Sequence, residues 1–180
     1  MNEYYFHKFL VTDQVFFKSR HSFALVNLKP IVPGHVLVVS NRNVPRLNDL
    51  TDEESIDYMS SIRKVAKFIT HHYKSDALNI AIQDGIALGQ SVPHLHTHII
   101  PRYSVNNFGD AIYGKLETFS LEMKKLALRQ ELEKLESLGE GHDDEWVSQD
   151  EKRYPRSDEV MRAEANELGN SMKLFYKNIN

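Results

Sequence analysis

Apolar runs of strand length lie on either side of the chain's first bend. Residues 22–39, SFALVNLKPIVPGHVLVV, form two segments rich in β-branched residues, and LKPIVPG separates them. The prolines and the glycine of this gap predict a strand, a bend and a second strand. A third short run, ALNIAI at residues 77–82, predicts another strand.

A helical period lies between the second and third of these strands. Thr51, with Glu54 three residues later, has the pattern of a capping box, and acidic residues in the first turn suit the helix dipole. The apolar positions that recur at helical spacing are Ile56, Met59, Ile62, Val65, Ala66, Ile69 and Tyr73. This pattern predicts one long helix that covers a face of the sheet.

The C-terminal third is more charged than the rest of the chain. Leucines at helical spacing in residues 121–138 predict an amphipathic helix or a half-ordered insert, and the acidic stretch after them is typical of a loop. Ser157 is the predicted cap of a last helix, whose apolar positions are Met161, Ala165, Leu168, Met172 and Phe175. We expect a domain core at residues 1–113, a charged variable insert at 114–153, partly helical or disordered, and a C-terminal helix of the same domain at 154–180.

Composition bounds the class of protein. Short connections between strands favour antiparallel pairing, so the elements predict an α+β domain with an antiparallel sheet of about five strands. The hydrophobic fraction of 41% is enough for a sizeable core, and the net charge of −3 gives no indication of nucleic-acid binding. Cysteine is absent, which excludes disulfides and thiolate ligands. The N-terminus lacks the pattern of a signal peptide, and no apolar run is long enough for a membrane span.

Three of the nine histidines lie in one short segment, QSVPHLHTHIIPR, at residues 90–102. On a strand His94, His96 and His98 would share one face, because side chains alternate, and Leu95, Thr97 and Ile99 would point into the core. Such a face has three possible uses, which the spacing alone leaves open: a metal site, simple packing, or nucleophilic chemistry on phosphate by a neutral imidazole.

The segment before the histidines favours phosphate chemistry. Two glycines, Gly85 and Gly89, allow backbone N–H groups to approach an anion closely. Gln83, Gln90 and Ser91 add uncharged hydrogen-bond donors, which suit a substrate that is already anionic.

HLHTHII has the histidine triad pattern, His-x-His-x-His followed by apolar residues, and the chain resembles the fragile histidine triad branch of the histidine triad (HIT) family. The resemblance is carried by residues 22–39, 79–102, 110–113 and 155–168, and it covers roughly residues 4–113 and 154–176. It points to dinucleoside-triphosphate hydrolases and is a close match to fungal members. It implies a HIT-like fold and a hydrolase that cuts diadenosine triphosphate to AMP and ADP. A nucleotide-binding signalling module and a nucleotidyl transferase or phosphorylase are the alternatives.

The resemblance also implies roles for individual residues. His96 is the implied nucleophile, which carries the nucleotidyl group, His98 contacts the phosphates near the scissile bond, and His94 orients the surroundings of His96. His35 is implied to support His94. The implied substrate contacts, none of them a metal ligand, are Asn27, Gln83, Gly89, Gln90, Ser91, Val92 and His98. The remaining histidines are predicted to lie on the surface: His7, His21, His71, His72 and His142.

Further expectations follow from the resemblance and from the composition of the chain. Mg²⁺ or Mn²⁺ is expected on the substrate phosphates, with no tightly bound cofactor, and the protein is expected to be a homodimer in the cytoplasm and possibly the nucleus, with no nucleic-acid or membrane partner. Two positions depart from the pattern of the branch. Lys8 stands where close animal relatives have a substrate-contacting histidine, and Ile86-Ala87-Leu88 replaces a Pro-Glu-Ala segment.

Overall fold

The structure is a computed structural model that describes residues 3–105, 109, 111–116 and 155–179. The strands are β1 Tyr5–Phe6, β2 Phe9–Leu10, β3 Val15–Lys18, β4 Ser22–Val26, β5 Val36–Ser40, β6 Ala77–Ile82 and β7 His96–Arg102. The long helices are α1 Asp52–Tyr73 and α2 Asp158–Ile179, and residues 111–116 are also helical. Most of the predicted insert, including residues 121–138 and His142, lies outside the described residues.

Five strands form one antiparallel sheet in the order β3-β4-β5-β7-β6, and β1 and β2 form a separate small hairpin. The pairing follows the chain closely: β4 pairs with β5 in full register, and β7 lies between β5 and β6. The predicted α+β fold with an antiparallel sheet is confirmed. Strand β3 and the hairpin, for which the sequence carried no clear strand signal, are additions to the prediction.

Helix α1 begins where the sequence predicts. The side chain of Thr51 accepts a hydrogen bond from the N–H of Glu54, and the Glu54 carboxylate accepts one from the N–H of Thr51. This reciprocal pair satisfies two N–H groups that have no partner within the helix. Arg42 also binds the Glu54 carboxylate, and its hydrogen bonds are the main cause that lowers the pKa of Glu54 to about 2. The helix start is therefore anchored to the segment after β5.

The buried face of α1 differs from the predicted one. Ile62, Val65, Ala66 and Ile69 are buried as expected, but Ile56 and Met59 are 74% and 60% exposed. The helix turns Tyr58 and Phe68 inward instead, both 1% exposed. The Tyr58 hydroxyl lies 3.1 Å from the carbonyl oxygen of Val38 and 2.8 Å from the Thr97 hydroxyl, so a buried phenol is fully hydrogen-bonded beneath the histidine strand.

The sheet separates two clusters of apolar side chains. Helices α1 and α2 pack on one face, where Ala24, Val26, Val36 and Val38 meet the inward side of α1 and the predicted apolar positions of α2. On the other face Leu25, Leu37 and Val39 pack with Phe6 and Val92. The histidines of β7 lie on this second face, because His98 pairs with Leu37 and His96 with Val39. None of the described helices is both long and apolar enough to cross a membrane.

Candidate active site

The structure brings the three histidines and His35 together, and all four are at most 2% exposed. The rings of His96 and His98 have centroids 5.1 Å apart, and those of His35 and His98 are 5.2 Å apart. His94 precedes β7, which begins at His96, so only the second and third histidines lie in the strand. Leu95 and Ile99 point into the core on the helix side, as the alternation predicts.

His96 has the hydrogen-bonding pattern of a nucleophile. Its Nδ1 lies 2.7 Å from the carbonyl oxygen of His94, and because a carbonyl can only accept, Nδ1 carries the proton. Nε2 therefore holds a lone pair, and no described residue donates a hydrogen bond to it. Burial lowers the pKa of His96, which keeps the imidazole neutral at pH 7. A neutral imidazole with a defined tautomer can attack phosphorus through Nε2.

His98 has the opposite tautomer. The N–H of Ile31 donates to Nδ1 of His35 at 3.1 Å, so the His35 proton is on Nε2, which lies 2.9 Å from Nδ1 of His98. His98 Nδ1 consequently accepts, and we assign the His98 proton to Nε2. Burial is the main cause that lowers the pKa of His98, with the charges of His96 and His35 adding to it. His98 can thus offer an N–H donor beside the lone pair of His96.

The prediction that His35 supports His94 is wrong. His35 hydrogen-bonds to His98, whereas His94 has two other partners: its Nε2 lies 2.7 Å from the carbonyl oxygen of Ser40, and its Nδ1 accepts from the N–H of His7 at 2.8 Å. The sheet register explains the difference. Val36 pairs with Ile99 and Val39 with His96, so His35 lies toward the far end of β7 and the end of β5 lies beside His94.

The N-terminal hairpin contributes residues that the sequence did not indicate. His7 was predicted to be a surface residue, but it lies in the tight turn between β1 and β2 with a φ of 56°, and its N–H reaches His94. Phe6 packs against two site rings, with centroid distances of 5.7 Å to His94 and 5.1 Å to His96. No clear local pattern marks this hairpin, because the aromatic residues of YYFHKFL are clustered and do not alternate.

The loop before the triad is tied to the segment after β5. The Gln90 amide donates to the carbonyl oxygen of Pro45 at 2.6 Å, and the N–H of Leu47 donates to the Asp84 carboxylate at 2.9 Å. Gly85 and Gly89 have φ values of 118° and 78°, which glycine adopts without strain. These hydrogen bonds hold the loop in one conformation, and the side chain of Gln90 is one of the groups that hold it.

Donors remain in the loop for a ligand. The N–H groups of Gly89 and Gln90 bond within the loop, to Ile86 and Gly85, but those of Ser91 and Val92 donate to no described residue. Gln83 donates to the carbonyl oxygen of Leu88, and its other amide atom, Oε1, is buried with no described partner. A buried amide of this kind normally has a partner, so Gln83 is suited to a bound ligand.

Asn27 lies between the histidines and a neighbouring cavity. Its Oδ1 accepts from the N–H of Lys29, and its Nδ2 lies 3.2 Å from Nε2 of His35. The cavity beside it has a volume of about 340 Å³, and its apolar lining includes Phe6, Leu25 and Leu37. Lys8 also lines this cavity, so the lysine at the departing position is placed where it can meet a ligand. This size is within the range of small-molecule sites.

Arg156, on the segment before α2, binds the backbone of Asn27. The Arg156 guanidinium donates to the backbone oxygen of Asn27 through Nε at 3.1 Å and through Nη2 at 2.5 Å, and it pairs with Glu164 of α2 at 2.6 Å. The N–H of Arg156 also donates to the carbonyl oxygen of Leu28. The segment before α2 is thereby fastened to the strand end that carries Asn27. No local pattern around residue 156 predicted this contact.

The described residues contain no group of three or more His, Cys, Asp and Glu side chains arranged to hold a metal ion. The Nδ1 atoms of His94, His96 and His98 all form hydrogen bonds, those of His94 and His96 to backbone groups and that of His98 to the imidazole of His35.

Acidification should destabilise the protein through the buried histidines. Burial is the main cause that lowers the pKa of His94 to about 4 from the 6.5 of a free histidine. As pH falls below 6.5 the unfolded state takes up the proton first, so stability is lost between pH 6.5 and 4, by about 3 kcal/mol from His94 alone. Urea unfolding at pH 7, 5.5 and 4 measures this loss.

A pair of variants isolates the contribution of His94. A His94→Asn variant should lose less stability on acidification than the wild type, whereas His71→Asn, at an exposed position of α1, should show the full loss. Equal losses in the wild type and the His94→Asn variant would contradict the assignment of the pH dependence to this residue.

Known proteins resemble the chain in sequence and in fold. A bis(5'-adenosyl)-triphosphatase of Saccharomyces cerevisiae is 62% identical over 114 residues, which are 63% of this chain and 55% of that protein. A bis(5'-nucleosyl)-tetraphosphatase (asymmetrical) of Schizosaccharomyces pombe is 44% identical over 163 residues, 89% of this chain and 90% of that protein. The chain thus spans little more than half the length of the S. cerevisiae relatives that it matches.

Solved structures and a family model agree with these relatives. The Caenorhabditis elegans NitFhit protein matches with a TM-score of 0.65 at 31% identity, over 94% of this chain and 30% of that one. The Plasmodium falciparum diadenosine triphosphate hydrolase matches with a TM-score of 0.57 at 30% identity, over 72% and 86% of the two chains. The HIT domain model matches residues 9–105, more than half of the chain. The chain therefore belongs to the HIT domain family.

Proposed function

We propose that this protein is a bis(5'-adenosyl)-triphosphatase, which hydrolyses diadenosine triphosphate to AMP and ADP. The observation that carries the proposal is the hydrogen bond between Nδ1 of His96 and the carbonyl oxygen of His94. This bond leaves the lone pair of His96 on Nε2, in a ring that lies beside the ring of His98. The known activities for which the S. cerevisiae and S. pombe relatives and the P. falciparum enzyme are named support dinucleoside polyphosphates as the substrate class.

The reaction takes place in two displacements on one phosphorus. Nε2 of His96 attacks the α-phosphorus, the bond from this phosphorus to the bridging oxygen breaks, and ADP leaves with the electron pair. Water then attacks the nucleotidyl phosphorus, the P–N bond breaks, and AMP and neutral His96 are released. The N–H groups of His98, Ser91 and Val92 offset the charge that develops on the phosphoryl oxygens, because fixed donors in a buried site need no reorganisation.

The substrate is held on both sides of the triad. The cavity of about 340 Å³ takes one nucleoside, with the base among Phe6, Leu25 and Leu37 and the ribose beside Asn27. Gln83 binds the phosphates and the leaving group, which gives its buried Oε1 or its amide donor a partner. Mg²⁺ or Mn²⁺ would be bound by the substrate phosphates and would offset part of their charge, because neutral imidazoles and amides alone do not balance the charge of a triphosphate.

We propose further that the protein is a homodimer with a two-fold interface. Strand β6 is an edge of the sheet, and its Ile80 is 51% exposed. Ile56 and Met59 expose apolar surface on α1, where the sequence predicted burial. Sedimentation analysis of the wild type and of an Ile80→Glu variant tests the interface. A monomeric wild type, or a variant with an unchanged dimer, would overturn this assignment.

The activity is tested by product analysis in isotopically labelled water. The purified protein is mixed with diadenosine triphosphate and Mg²⁺ in H₂¹⁸O, and the products are separated by ion exchange and analysed by mass spectrometry. We expect AMP and ADP in equal amounts with the ¹⁸O in AMP, because water attacks the nucleotidyl phosphorus. Diadenosine tetraphosphate, assayed beside it, establishes the preferred chain length.

Other outcomes separate the alternative functions. Bound nucleotide with no product would indicate a nucleotide-binding module. With inorganic phosphate present, ADP from both halves of the substrate would indicate phosphorolysis. The label in ADP in place of AMP would contradict attack on the α-phosphorus that becomes AMP.

Arg156 provides a test of the nucleoside site from a distance. Replacing Arg156 with methionine removes both hydrogen bonds of the guanidinium to the Asn27 oxygen, an interaction of a type whose net contribution is about 1.5–3 kcal/mol. We expect KM for diadenosine triphosphate to rise about tenfold, with kcat changed less than twofold, because Asn27 touches the ribose and not the reacting phosphorus.

An ion pair on the same helix supplies the matched control. Arg162 pairs with Asp13 on the surface, so an Arg162→Met variant removes an arginine of α2 without touching the site. This variant should keep both kinetic constants, and Arg156→Lys should fall between the wild type and Arg156→Met. An equal fall in kcat and kcat/KM for Arg156→Met would instead place its effect on the triad.

A further inference from the structure

A groove lies on the helix side of the sheet, opposite the triad. It has a volume of about 880 Å³ and runs between α1, α2 and β3. Its cationic lining residues are Lys18, Arg63, Lys64, Lys67 and Lys173, and no acidic side chain is among the described residues that line it. The Lys18 ammonium lies over the Tyr4 ring at 4.5 Å, so the positive charge of the groove comes from the other four residues. Four positive charges in one groove contrast with the net charge of −3 of the whole chain.

The cations of this groove differ from arginines elsewhere on the surface. Arg20, Arg42, Arg46 and Arg162 each pair with a carboxylate. Arg63, Lys64, Lys67 and Lys173 make no ion pair with any described residue. Like charges that face one another across a groove repel, and a bound anion would remove this repulsion.

The two helices present their donors in facing rows. On α1, Arg63 and Lys67 are four residues apart and so lie on one side of the helix. On α2, Asn166, Asn170 and Lys173 follow one another at spacings of four and three residues and line the groove from the other side. At a rise of 1.5 Å per residue, the row on α2 extends over about 10 Å. Amide and cationic donors spread over this length match several phosphate groups in series better than a single one.

We propose that this groove is a second anion site, separate from the triad, that binds a short chain of phosphate groups. The phosphate chain lies between Arg63 and Lys67 on one side and Lys173 on the other. The side-chain amides of Asn166 and Asn170 donate to its oxygens from the side of α2. Phe16 and Met172 form an apolar part of the lining, on which a nucleoside attached to the chain would rest. The inference does not depend on the proposed hydrolase activity, because no groove residue touches the triad.

Amide NMR of the full chain tests the site, because it reports both faces of the sheet in one experiment. Titration with inorganic tripolyphosphate should shift the amides of residues 63–67 and 166–173, and it should shift amides near His96 independently if the triad site also binds. Titration with ATP distinguishes the source of the phosphate chain. Groove binding at least tenfold tighter for ATP than for tripolyphosphate indicates a nucleotide, and equal binding indicates a bare phosphate chain.

Two neutralising variants with equal change of charge provide the control. Lys67→Gln/Lys173→Gln should weaken binding in the groove at least tenfold and leave the shifts near His96 and the rate of hydrolysis unchanged. Arg162→Gln/Lys177→Gln removes two positive charges from α2 outside the groove and should leave groove binding intact.

Three results would overturn the inference. The first is shifts confined to the triad face, and the second is groove shifts that survive in Lys67→Gln/Lys173→Gln. The third is a response to single-stranded RNA with none to tripolyphosphate, which would make the groove a nucleic-acid surface. Because hydrolysis is measured in the same samples, failure of the groove and failure of the proposed activity are distinguished.

Discussion

A His96→Ala variant should hydrolyse diadenosine triphosphate at least about 10⁴-fold more slowly than the wild type, because removal of a nucleophile removes the covalent route entirely. Its affinity for the substrate should stay within a few-fold, since the nucleoside cavity and the loop donors are unchanged. Steady-state kinetics measure the first effect, and equilibrium binding of the intact substrate measures the second.

The covalent intermediate gives this prediction a direct chemical readout. Acid-labile, base-stable label on the protein after a rapid quench with substrate labelled at the α-phosphorus would identify a phosphoramidate on histidine. The label should be absent from His96→Ala and present in His71→Ala, which changes an exposed histidine of α1. Label that persists in His96→Ala, or a residual rate above about one per cent, would assign the nucleophile to another group.

Replacing Gly34 with alanine should cost about 4 kcal/mol of folding stability. Gly34 has a φ of 83°, and a Cβ at this position would lie 2.6 Å from Cδ2 of the Tyr73 ring. The backbone conformation costs about 1–3 kcal/mol for a residue with a side chain, and overpacking a tight contact costs a similar amount. Urea unfolding at pH 7 measures the change in free energy.

The same substitution should also reduce activity, because Gly34 precedes His35. A shift of this backbone moves the His35 ring away from Nδ1 of His98, which it contacts at 2.9 Å. Gly114→Ala is the matched control: its Cβ would meet no atom within 4 Å, and residue 114 is helical, so the variant should be as stable as the wild type or more so.

A double variant separates the two causes of the loss. Gly34→Ala/Tyr73→Ala removes the ring that the new Cβ meets but keeps the unfavourable φ. It should therefore destabilise the protein less, relative to Tyr73→Ala, than Gly34→Ala does relative to the wild type. A Gly34→Ala protein with wild-type stability would show that the segment before His35 adapts to a side chain.

Local patterns predicted the elements whose causes lie within a few residues. The capping box at Thr51 and Glu54 is an interaction between neighbours, so it could be recognised before any tertiary contact was known. The alternation of β7 has the same character, because a strand turns successive side chains to opposite faces whatever packs on them. His96 and His98 could therefore be placed on one face, with Leu95 and Ile99 buried on the other.

The orientation of α1 shows the limit of this reasoning. Its apolar residues extend over more of the circumference than one buried face requires, so periodicity alone did not separate Ile56 and Met59 from the buried set. The contacts of Tyr58 with Val38 and Thr97 decided which side of the helix meets the sheet. At the observed orientation the buried phenol has both hydrogen-bond partners in place.

The sequence by itself determined the antiparallel α+β fold, the family resemblance, and a face of histidines beside a glycine-containing loop. Only the tertiary structure decided which groups complete the site: His35 beside His98, the N–H of His7 on His94, and Arg156 on Asn27. These contacts join residues 63, 87 and 129 positions apart. Strand register and helix docking set such distances, and they depend on the packing of the whole core, which no local pattern encodes.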